Sequence, residues 1–171
     1  IVTDKGSPKL PFVTNLQRYL DNSNVKSDIF FDISPNPRED EISVGCKKYN
    51  DGKHDSIIAI GGGSAMDGGK LICLTANNDV PLRDFEFELT PPIISKDNPF
   101  PKIITIPTTA GTGAETEITA MVTYLKEGMK FCMWHPDVRP SLALIDPELT
   151  IGLPSNLTAW TGADALIHAI E

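Results

Sequence analysis

The sequence predicts an α/β fold: a Rossmann-like, mostly parallel sheet with flanking helices and one β-hairpin. Short apolar runs alternate with segments of helical periodicity, an alternation typical of β-α-β units. The run at residues 56–60 is continuously apolar, as in a strand covered on both faces of a sheet. It leads directly into Gly61, Gly62, Gly63 and Ser64, and a second Gly/Thr-rich turn follows the next strand. Both turns are therefore expected at the same edge of the sheet.

The individual elements follow from local patterns. Leucine and valine recur at helical spacing over residues 8–20, and a Ser-Pro-Asn-Pro run ends the second strand. The proline-rich stretch at 78–101 is expected to form a long irregular loop. The predicted strands cover residues 1–3, 28–33, 56–60, 102–106 and 141–145, with a hairpin over 117–124 and 129–134. The predicted helices cover residues 8–20, 38–50 and 65–75.

A last helix is expected after a connector at 146–154, with Ser155 or Asn156 as its N-cap. It carries Asp164 and His168, which helical spacing places on one face, one turn apart. Two such side chains can hold one edge of a divalent metal, but a catalytic metal usually takes three or more protein ligands. The pair is either part of a larger metal site or two polar residues on an ordinary helix, and the pattern alone favours the ordinary helix.

Composition limits the classes of function. The 15 basic and 23 acidic residues give a net charge of −8, and no basic cluster suited to a phosphate backbone is present, so no nucleic-acid partner is expected. The 3 cysteines are widely spaced without a C-x-x-C pair, which argues against disulfides and zinc knuckles. No apolar run reaches the length of a membrane span, and the start lacks a basic region before an apolar stretch. The expected location is the cytoplasm.

The turn at residues 61–64 predicts a diphosphate site. A strand that feeds glycines and then a helix presents backbone N–H groups at a positive helix N-terminus, with no side chains in the way. A simple strand-to-helix turn is the alternative, but three consecutive glycines exceed what a turn requires. The run matches neither G-x-G-x-x-G nor a Walker loop, because Lys70 lies seven residues after Gly63. A nucleotide triphosphatase is therefore disfavoured.

Further polar residues are candidates for the same ligand. The hydroxyls of Thr108, Thr109 and Thr112 can bond ribose, phosphate or adenine edges, with helix capping by one of them as the alternative. Asp4 follows the first strand, where a carboxylate accepts hydrogen bonds from ribose hydroxyls and repels a 2′-phosphate. Lys130 on the hairpin can reach ribose or phosphate, although a solvated lysine is the default interpretation.

Other chemistries find no support in the sequence. No Ser/His/Asp or Cys/His arrangement is visible, and G-x-S-x-G does not occur around Ser64, so hydrolysis through a covalent intermediate is disfavoured. His54 and His135 have no carboxylate or second histidine at ligand spacing. Both are expected to be surface or loop residues.

Four stretches, in this order along the chain, resemble the iron-containing (group III) alcohol dehydrogenases. They are residues 61–67 with Lys70, residues 107–115, residues 145–147 and residues 161–171, and residues 1–6 match the first strand and turn of that family. The resemblance covers essentially the whole chain. It implies an NAD(P)-dependent oxidoreductase, with residues 1–150 as a dinucleotide-binding α/β domain. Residues 151–171 would be the first helix of an all-helical metal-binding domain whose remainder is absent, and the first strand is expected to be truncated.

The resemblance also assigns roles by position. It implies diphosphate contacts from Gly62, Gly63 and Ser64, an adenosine side lined by Thr108, Thr109 and Thr112, a ribose contact from Lys130, a preference for NAD over NADP from Asp4, and metal ligation by Asp164 and His168. The chain departs from the family at Glu117, where several relatives have threonine. Two further histidines of the metal shell have no counterpart, and no catalytic residue is assigned in this chain.

The function implied is metal-dependent hydride transfer between NAD(H) and a small primary alcohol or aldehyde. Fe(II), or zinc as in some relatives, would be the metal, and NADP is the less favoured cofactor. The resemblance implies a homodimer or larger homo-oligomer. Two alternatives remain open: hydroxyacid–oxoacid transhydrogenation on the same scaffold, and a non-catalytic nucleotide-binding module. The 171-residue chain alone is expected to bind dinucleotide poorly or moderately and to show no appreciable turnover.

Overall fold

The structure is a computed structural model that describes residues 1–171. The strands are β1 (Val2–Asp4), β2 (Phe30–Ile33), β3 (Ser56–Gly61), β4 (Lys102–Pro107), β5 (Thr119–Tyr124), β6 (Met129–Trp134) and β7 (Leu142–Ala143). Five of them form a sheet in the order β2-β1-β3-β4-β7, and every pairing in it is parallel. Strands β5 and β6 form a separate antiparallel hairpin. The predicted α/β fold with one hairpin is confirmed.

The helices are α1 (Pro11–Asn22), α2 (Glu39–Asp51), α3 (Gly63–Thr75) and α4 (Ser155–Ile170). Helix α1 starts three residues later than predicted because Pro11 occupies its first turn, where a missing N–H costs nothing. The predicted N-cap of α4 is wrong: Pro154 is the N-cap residue and no side chain caps the helix. Strand β7 is shorter than predicted because it pairs only with β4, at the edge of the sheet.

Helices cover both faces of the sheet, as continuous apolar strands require. The larger core joins α2, α3, the hairpin and one face of the sheet; its fully buried side chains include Ile33, Ile42, Leu71 and Met133. A smaller cluster on the other face packs α1 against β3 and β4. Burial of these side chains is the main stabilising contribution to the fold. The same packing holds α3 in place, and the N-terminus of α3 forms part of the candidate site.

Helix α3 lies very close to the sheet, and two glycines make this possible. A Cβ placed on Gly68 would lie 2.6 Å from Cδ1 of Ile33, and one placed on Gly69 would lie 2.7 Å from Cβ of Ala59. These separations are far below van der Waals contact. Neither position therefore accepts a larger residue without movement of the helix.

We expect Gly68→Val to destabilise the fold by about 1–3 kcal/mol, the usual cost of overpacking a core. The free energy of unfolding, measured from urea titrations, checks this. The control is Gly162→Ala on α4, where an added Cβ meets no heavy atom within 4 Å. That change removes a helical glycine and is expected to be neutral or to stabilise by up to about 1 kcal/mol. Equal stability of the Gly68 variant and the wild type would contradict the close packing.

Helix α4 differs from the other helices in its packing. None of its residues is buried, and Trp160, Leu166 and Ile170 are mostly exposed. It rests on the loop after β4: a Cβ on Gly111 would lie 2.8 Å from the carbonyl oxygen of Thr161. None of the helices combines the length and the apolar character needed to cross a membrane. The division of the chain at residue 150 stays a prediction.

Candidate functional site

The loops that follow β3 and β4 leave the sheet side by side. The two strands pair in parallel register from Ser56 opposite Lys102 to Gly61 opposite Pro107. Beyond the last pair, the backbone N–H of Thr108 donates to the carbonyl oxygen of Gly61 at 2.9 Å. Parallel α/β sheets bind ligands at the carboxyl ends of their strands. Both predicted glycine-containing turns are therefore at the edge where a ligand is expected.

The glycine turn contributes directly to the N-terminus of α3. Gly61 has a φ of +145°, and a Cβ there would lie 2.7 Å from Cβ of Ala65, so only glycine fits. Gly62 is the N-cap residue and Gly63 begins the helix, two residues earlier than predicted. The first N–H groups of a helix have no acceptor within it and lie at its positive end. The turn thus presents donors suited to an anion.

The threonines after β4 lie across from these glycines. A Cβ on Gly62 would lie 3.5 Å from Cγ2 of Thr109, and a Cβ on Gly63 would lie 3.0 Å from Cγ2 of Thr112. Thr108 is buried at the tip of β4. Thr109 and Thr112 consequently form the opposite side of a narrow space above the glycine backbone.

A cleft of about 300 Å³ lies beside Gly63 and Thr112. It is lined by Gly63, Ser64, Asp67, Thr112, Lys130 and His168, together with residues of the 35–37 loop and the hairpin. The structure thereby brings together the glycine turn, one threonine, the hairpin lysine and the histidine of α4, all singled out from the sequence. The other predicted site residues do not line this cleft: Asp4, Gly62, Thr108, Thr109 and Asp164.

The hydroxyl of Ser64 already has a partner within the protein. It donates to the carbonyl oxygen of Pro35 at 2.5 Å and so ties the loop after β2 to the start of α3. Its hydrogen is therefore engaged, and the backbone N–H of Ser64 is the group left for a ligand. The predicted diphosphate contact by this residue stays a prediction, with the amide as its donor.

Asp4 lies on the other side of the glycine turn. Its carboxylate accepts hydrogen bonds from the Gly6 amide at 2.9 Å and from Oγ of Ser7 at 2.8 Å. A Cβ on Gly61 would lie 3.3 Å from Oδ2 of Asp4, so the carboxylate adjoins the turn. A carboxylate has about four acceptor positions, and two are used here. Asp4 therefore keeps acceptor capacity beside the glycines, and its role towards ribose stays a prediction.

Asp164 and His168 lie one helical turn apart, with Oδ1 and Nε2 separated by 3.8 Å. Both side chains are about half exposed. A carboxylate and an imidazole are suitable ligands for Fe(II) or zinc. The structure contains no group of three or more His, Cys, Asp or Glu residues placed to hold a metal ion. These two residues form one edge of a site rather than a closed one, and their ligand role stays a prediction.

A buried ion pair, not predicted from the sequence, supports the cleft wall. Lys70 is fully buried, and its Nζ donates to the carbonyl oxygens of Ala114 at 2.9 Å and Thr119 at 2.5 Å. Oδ1 of Asp67 lies 3.4 Å from the same nitrogen, and its Oδ2 accepts from the Met121 amide at 3.2 Å. Lys70 thus joins α3 to the segment that leads into the hairpin.

The neighbours of Asp67 only partly offset the cost of burying its negative charge. Burial raises the pKa of the Asp67 carboxyl, although the Lys70 ammonium and the Met121 N–H act in the opposite direction. The sequence contains one signal for this pair, an acid and a base at i and i+3 on a predicted helix. Their backbone partners lie too far along the chain to be found from that spacing.

The hairpin is fixed to α2 on the far side of the cleft. The Glu39 carboxylate accepts the Leu125 amide at 2.9 and 3.1 Å, and the Thr123 amide donates to the carbonyl oxygen of Pro37 at 2.7 Å. These contacts hold the hairpin over the loop after β2. The hairpin side of the cleft is therefore held by hydrogen bonds to α2 and to the loop after β2.

Glu41 connects the tips of β1 and β2. Its buried carboxylate accepts from Nζ of Lys5 at 2.7 Å, from Oγ and the amide of Ser34, and from the Arg38 amide at 3.3 Å. Burial acts to raise the pKa of Glu41, but the hydrogen bonds from Lys5 and Ser34 outweigh it and hold the pKa below its usual range. The folded state consequently favours the ionised form.

This shift predicts the acid sensitivity of the fold. A depressed pKa contributes stability above the unfolded value, about 4.3 for Glu, and that contribution is lost as pH falls through the folded value. We expect Glu41→Gln to cost about 1–2 kcal/mol at pH 7. The difference from wild type should decrease as pH falls below the unfolded value and through the lower folded value. Urea titrations across this range measure it, and a difference independent of pH would contradict the assignment.

His135 was expected to be a surface or loop residue, and it lies in a loop. The ring is buried, with Nε2 donating to the carbonyl oxygen of Pro92 at 3.0 Å and Nδ1 accepting the Asp137 amide at 3.1 Å. It also contacts the rings of Phe85 and Phe100. Both ring nitrogens are engaged, so His135 has a structural role.

Comparison with known proteins agrees with the fold. A family model described as iron-containing alcohol dehydrogenase matches residues 1–147. The chain belongs to the iron-containing alcohol dehydrogenase family. The resemblance of the ordered motifs is thereby confirmed. Members of the family are oxidoreductases, and several relatives carry the name of the alcohol on which they act.

Two curated relatives of this family illustrate the match. The chain is 35% identical over 172 residues to a choline dehydrogenase of Bacillus subtilis (strain 168), covering 100% of this chain and 42% of the relative. It is 35% identical over 173 residues to a 1,3-propanediol dehydrogenase of Klebsiella pneumoniae, covering 100% and 43%. The chain spans less than half the length of these relatives.

Solved structures from the iron-containing alcohol dehydrogenases superpose closely. A crystal structure of a 1,3-propanediol oxidoreductase aligns with a TM-score of 0.90 at 35% identity, covering 99% of this chain and 43% of that one. A sulfoacetaldehyde reductase from Bifidobacterium kashiwanohense, solved in complex with NAD⁺, aligns with a TM-score of 0.86 at 34% identity, covering 99% and 44%.

Proposed function

We propose that this chain forms the dinucleotide-binding part of an NAD-dependent alcohol dehydrogenase, which transfers hydride between NAD(H) and a small primary alcohol or aldehyde. The observation that carries the proposal is the shared cleft. Gly63 and Ser64 at the N-terminus of α3, and His168 on α4, line the same cavity. A cofactor at the glycine turn and a metal at His168 would therefore face each other. In the proposal, residues 1–150 bind the dinucleotide and residues 151–171 contribute to the metal side.

The dinucleotide fits the donors present at the turn. The amides of Gly62, Gly63 and Ser64 would bind the diphosphate, since no side chain separates the glycine backbone from a ligand. Thr109 and Thr112 lie across the turn, where they would orient the adjoining part of the cofactor. The solved NAD⁺ complex of a 34% identical relative supports NAD as the cofactor class.

Residues farther from the turn would fix the ribose groups. Lys130 lines the cleft from the hairpin and would contact ribose hydroxyls or phosphate. Asp4 keeps free acceptor positions and would accept from ribose hydroxyls while repelling a 2′-phosphate. This arrangement supports NAD over NADP.

The metal site would use Asp164 and His168 as two of its ligands. When bound, Fe(II) or zinc supplies Lewis-acid polarisation of the alcohol or carbonyl oxygen. Thr161 of α4 packs against Gly111 in the loop after β4, and this contact would hold the metal-binding face of α4 beside the cleft. The donor set here is incomplete, so the proposal includes no appreciable turnover by the 171 residues alone.

The alcohol itself is not specified by these residues. The relatives include dehydrogenases of choline and of 1,3-propanediol, which differ in charge and polarity. A small primary alcohol or aldehyde is the common class. We extend the proposal, on the family resemblance, to a cytoplasmic homodimer or larger homo-oligomer.

Calorimetric titration of the purified chain with NAD, NADP and ATP tests the proposal. We expect saturable NAD binding, weaker NADP binding, and no displacement of NAD by equimolar ATP. No turnover of 1,3-propanediol is expected after addition of Fe(II) or zinc. A folded chain that fails to bind NAD would refute the cofactor assignment. Retention of NAD through extended dialysis would instead favour transhydrogenation with a resident cofactor.

A further inference from the structure

Two cationic side chains beside the tip of β1 are already held by acids. Nζ of Lys5 lies 2.7 Å from Oε1 of Glu41 and 2.9 Å from Oγ of Ser34. The guanidinium of Arg38 donates to both carboxylate oxygens of Asp40, from Nε at 3.0 Å and from Nη2 at 2.6 Å. Each cation is therefore already paired with a carboxylate, which reduces its attraction for a second anion.

The bond to Lys5 is the stronger constraint because Glu41 is buried. Its carboxylate is only 6% exposed, whereas the Lys5 side chain is half exposed. If Lys5 moved away, the buried carboxylate would lose its nearest cation and keep only Nε of Arg38 at 3.8 Å, and a weakly paired buried charge is costly. The exposed Lys47–Asp51 pair at the other end of α2 has no such restraint, because both side chains lie largely in solvent.

The position of Lys5 connects this restraint to cofactor choice. Lys5 directly follows Asp4, the residue proposed to accept ribose hydroxyls. A 2′-phosphate at that ribose would bring up to two negative charges close to the Asp4 carboxylate, and it would need a nearby cation. The long, flexible stem of Lys5 makes it the natural candidate. Glu41 already binds Lys5, so Lys5 does not serve as the counter-ion of a 2′-phosphate.

We propose that Glu41 is a positioning residue for cofactor specificity: by holding Lys5 it denies a 2′-phosphate its counter-ion and keeps the site selective for NAD over NADP. The inference rests on the proposed function, because it requires the ribose at Asp4. Glu41 itself touches no cofactor and acts through Lys5. A purely structural role for Glu41 would weaken both nucleotides equally and leave their ratio unchanged.

The test measures dissociation constants for NAD and NADP by calorimetry on the purified protein at about 0.15 M salt, where distant charges are screened. Glu41→Gln preserves volume and keeps an acceptor for Ser34 and Arg38 while releasing Lys5. We expect the ratio of the NADP to the NAD constant to fall at least about fivefold, within the strength of one charged hydrogen bond. The double variant Lys5→Met/Glu41→Gln should lose this gain.

The matched control is Asp51→Asn, which makes the same change in net charge and releases Lys47 at the far end of α2. Its nucleotide ratio should equal that of wild type. An unchanged ratio in folded Glu41→Gln, an equal gain in Asp51→Asn, or a gain that survives in the double variant would overturn the inference while leaving NAD binding intact. Wild-type protein that binds neither nucleotide would instead refute the proposed function.

A second variant keeps the inference testable if Glu41→Gln does not fold. Lys5→Met/Glu41→Met replaces both partners by apolar side chains and leaves no carboxylate without its cation; the wild-type ratio should hold within about twofold, because Lys5 contributes nothing to NADP binding while Glu41 holds it. Weaker NADP binding in that variant would show that Lys5 is already free, which contradicts the inference.

Discussion

Lys70→Met is expected to destabilise the fold by about 3–5 kcal/mol, the cost of removing one partner of a buried ion pair. The ammonium of Lys70 is fully buried, and its loss would leave the largely buried Asp67 carboxylate without a cation. The carbonyl groups of Ala114 and Thr119 would also lose their donor. Urea titration monitored by circular dichroism measures the change.

Two further variants make the Lys70 prediction specific. Lys47→Met removes an exposed lysine and should change stability by no more than about 0.5 kcal/mol. Lys70→Met/Asp67→Asn removes the unpaired charge and should recover part of the loss. If Lys70→Met were as stable as Lys47→Met, the buried ion pair would contribute nothing to the cleft wall.

Gly62→Val should weaken NAD binding about a hundredfold, equivalent to about 2.7 kcal/mol. The backbone at Gly62 is extended, with φ −78° and ψ −175°, which valine readily adopts. An added Cβ would lie 3.5 Å from the nearest atom of Thr109, an ordinary contact, and loss of the glycine N-cap costs up to about 1 kcal/mol. The side chain would instead occupy space needed by the diphosphate.

Calorimetric titration with NAD measures this loss, and thermal unfolding checks that the variant is folded. The control is Gly152→Val, at a glycine whose added Cβ meets nothing within 4 Å and which lies outside the cleft. It should bind NAD with wild-type affinity. A Gly62→Val protein with undiminished affinity would show that the diphosphate does not approach this backbone.

The strands and the glycine turn were predictable from the sequence because their signals are local. Continuous apolar runs marked β3 and β4, and three glycines after β3 marked the turn. The parallel register then places both turns at one edge without further information. The one-turn separation of Asp164 and His168 likewise followed from helix geometry alone.

The supporting contacts of the site were not predictable because they depend on distant partners. Lys70 was noted as a lysine that does not fit a Walker loop and as part of a family motif, but neither observation predicts its acceptors, which lie 44 and 49 residues away. The restraint of Lys5 by Glu41 spans 36 residues and has no local pattern. The burial of His135 was not predictable, because sequence spacing does not show that Phe85 and Phe100 enclose it.

The hairpin contacts have a consequence for how binding activity arises during folding. The Leu125–Glu39 bond joins residues 86 positions apart, and the Met121–Asp67 bond joins residues 54 apart. The hairpin side of the cleft therefore exists only when distant parts of the chain are in contact. A chain in which these contacts are broken would lack that side of the cleft. Nucleotide would then bind only the native state, draw the equilibrium towards it, and raise the melting temperature in proportion to the logarithm of its concentration.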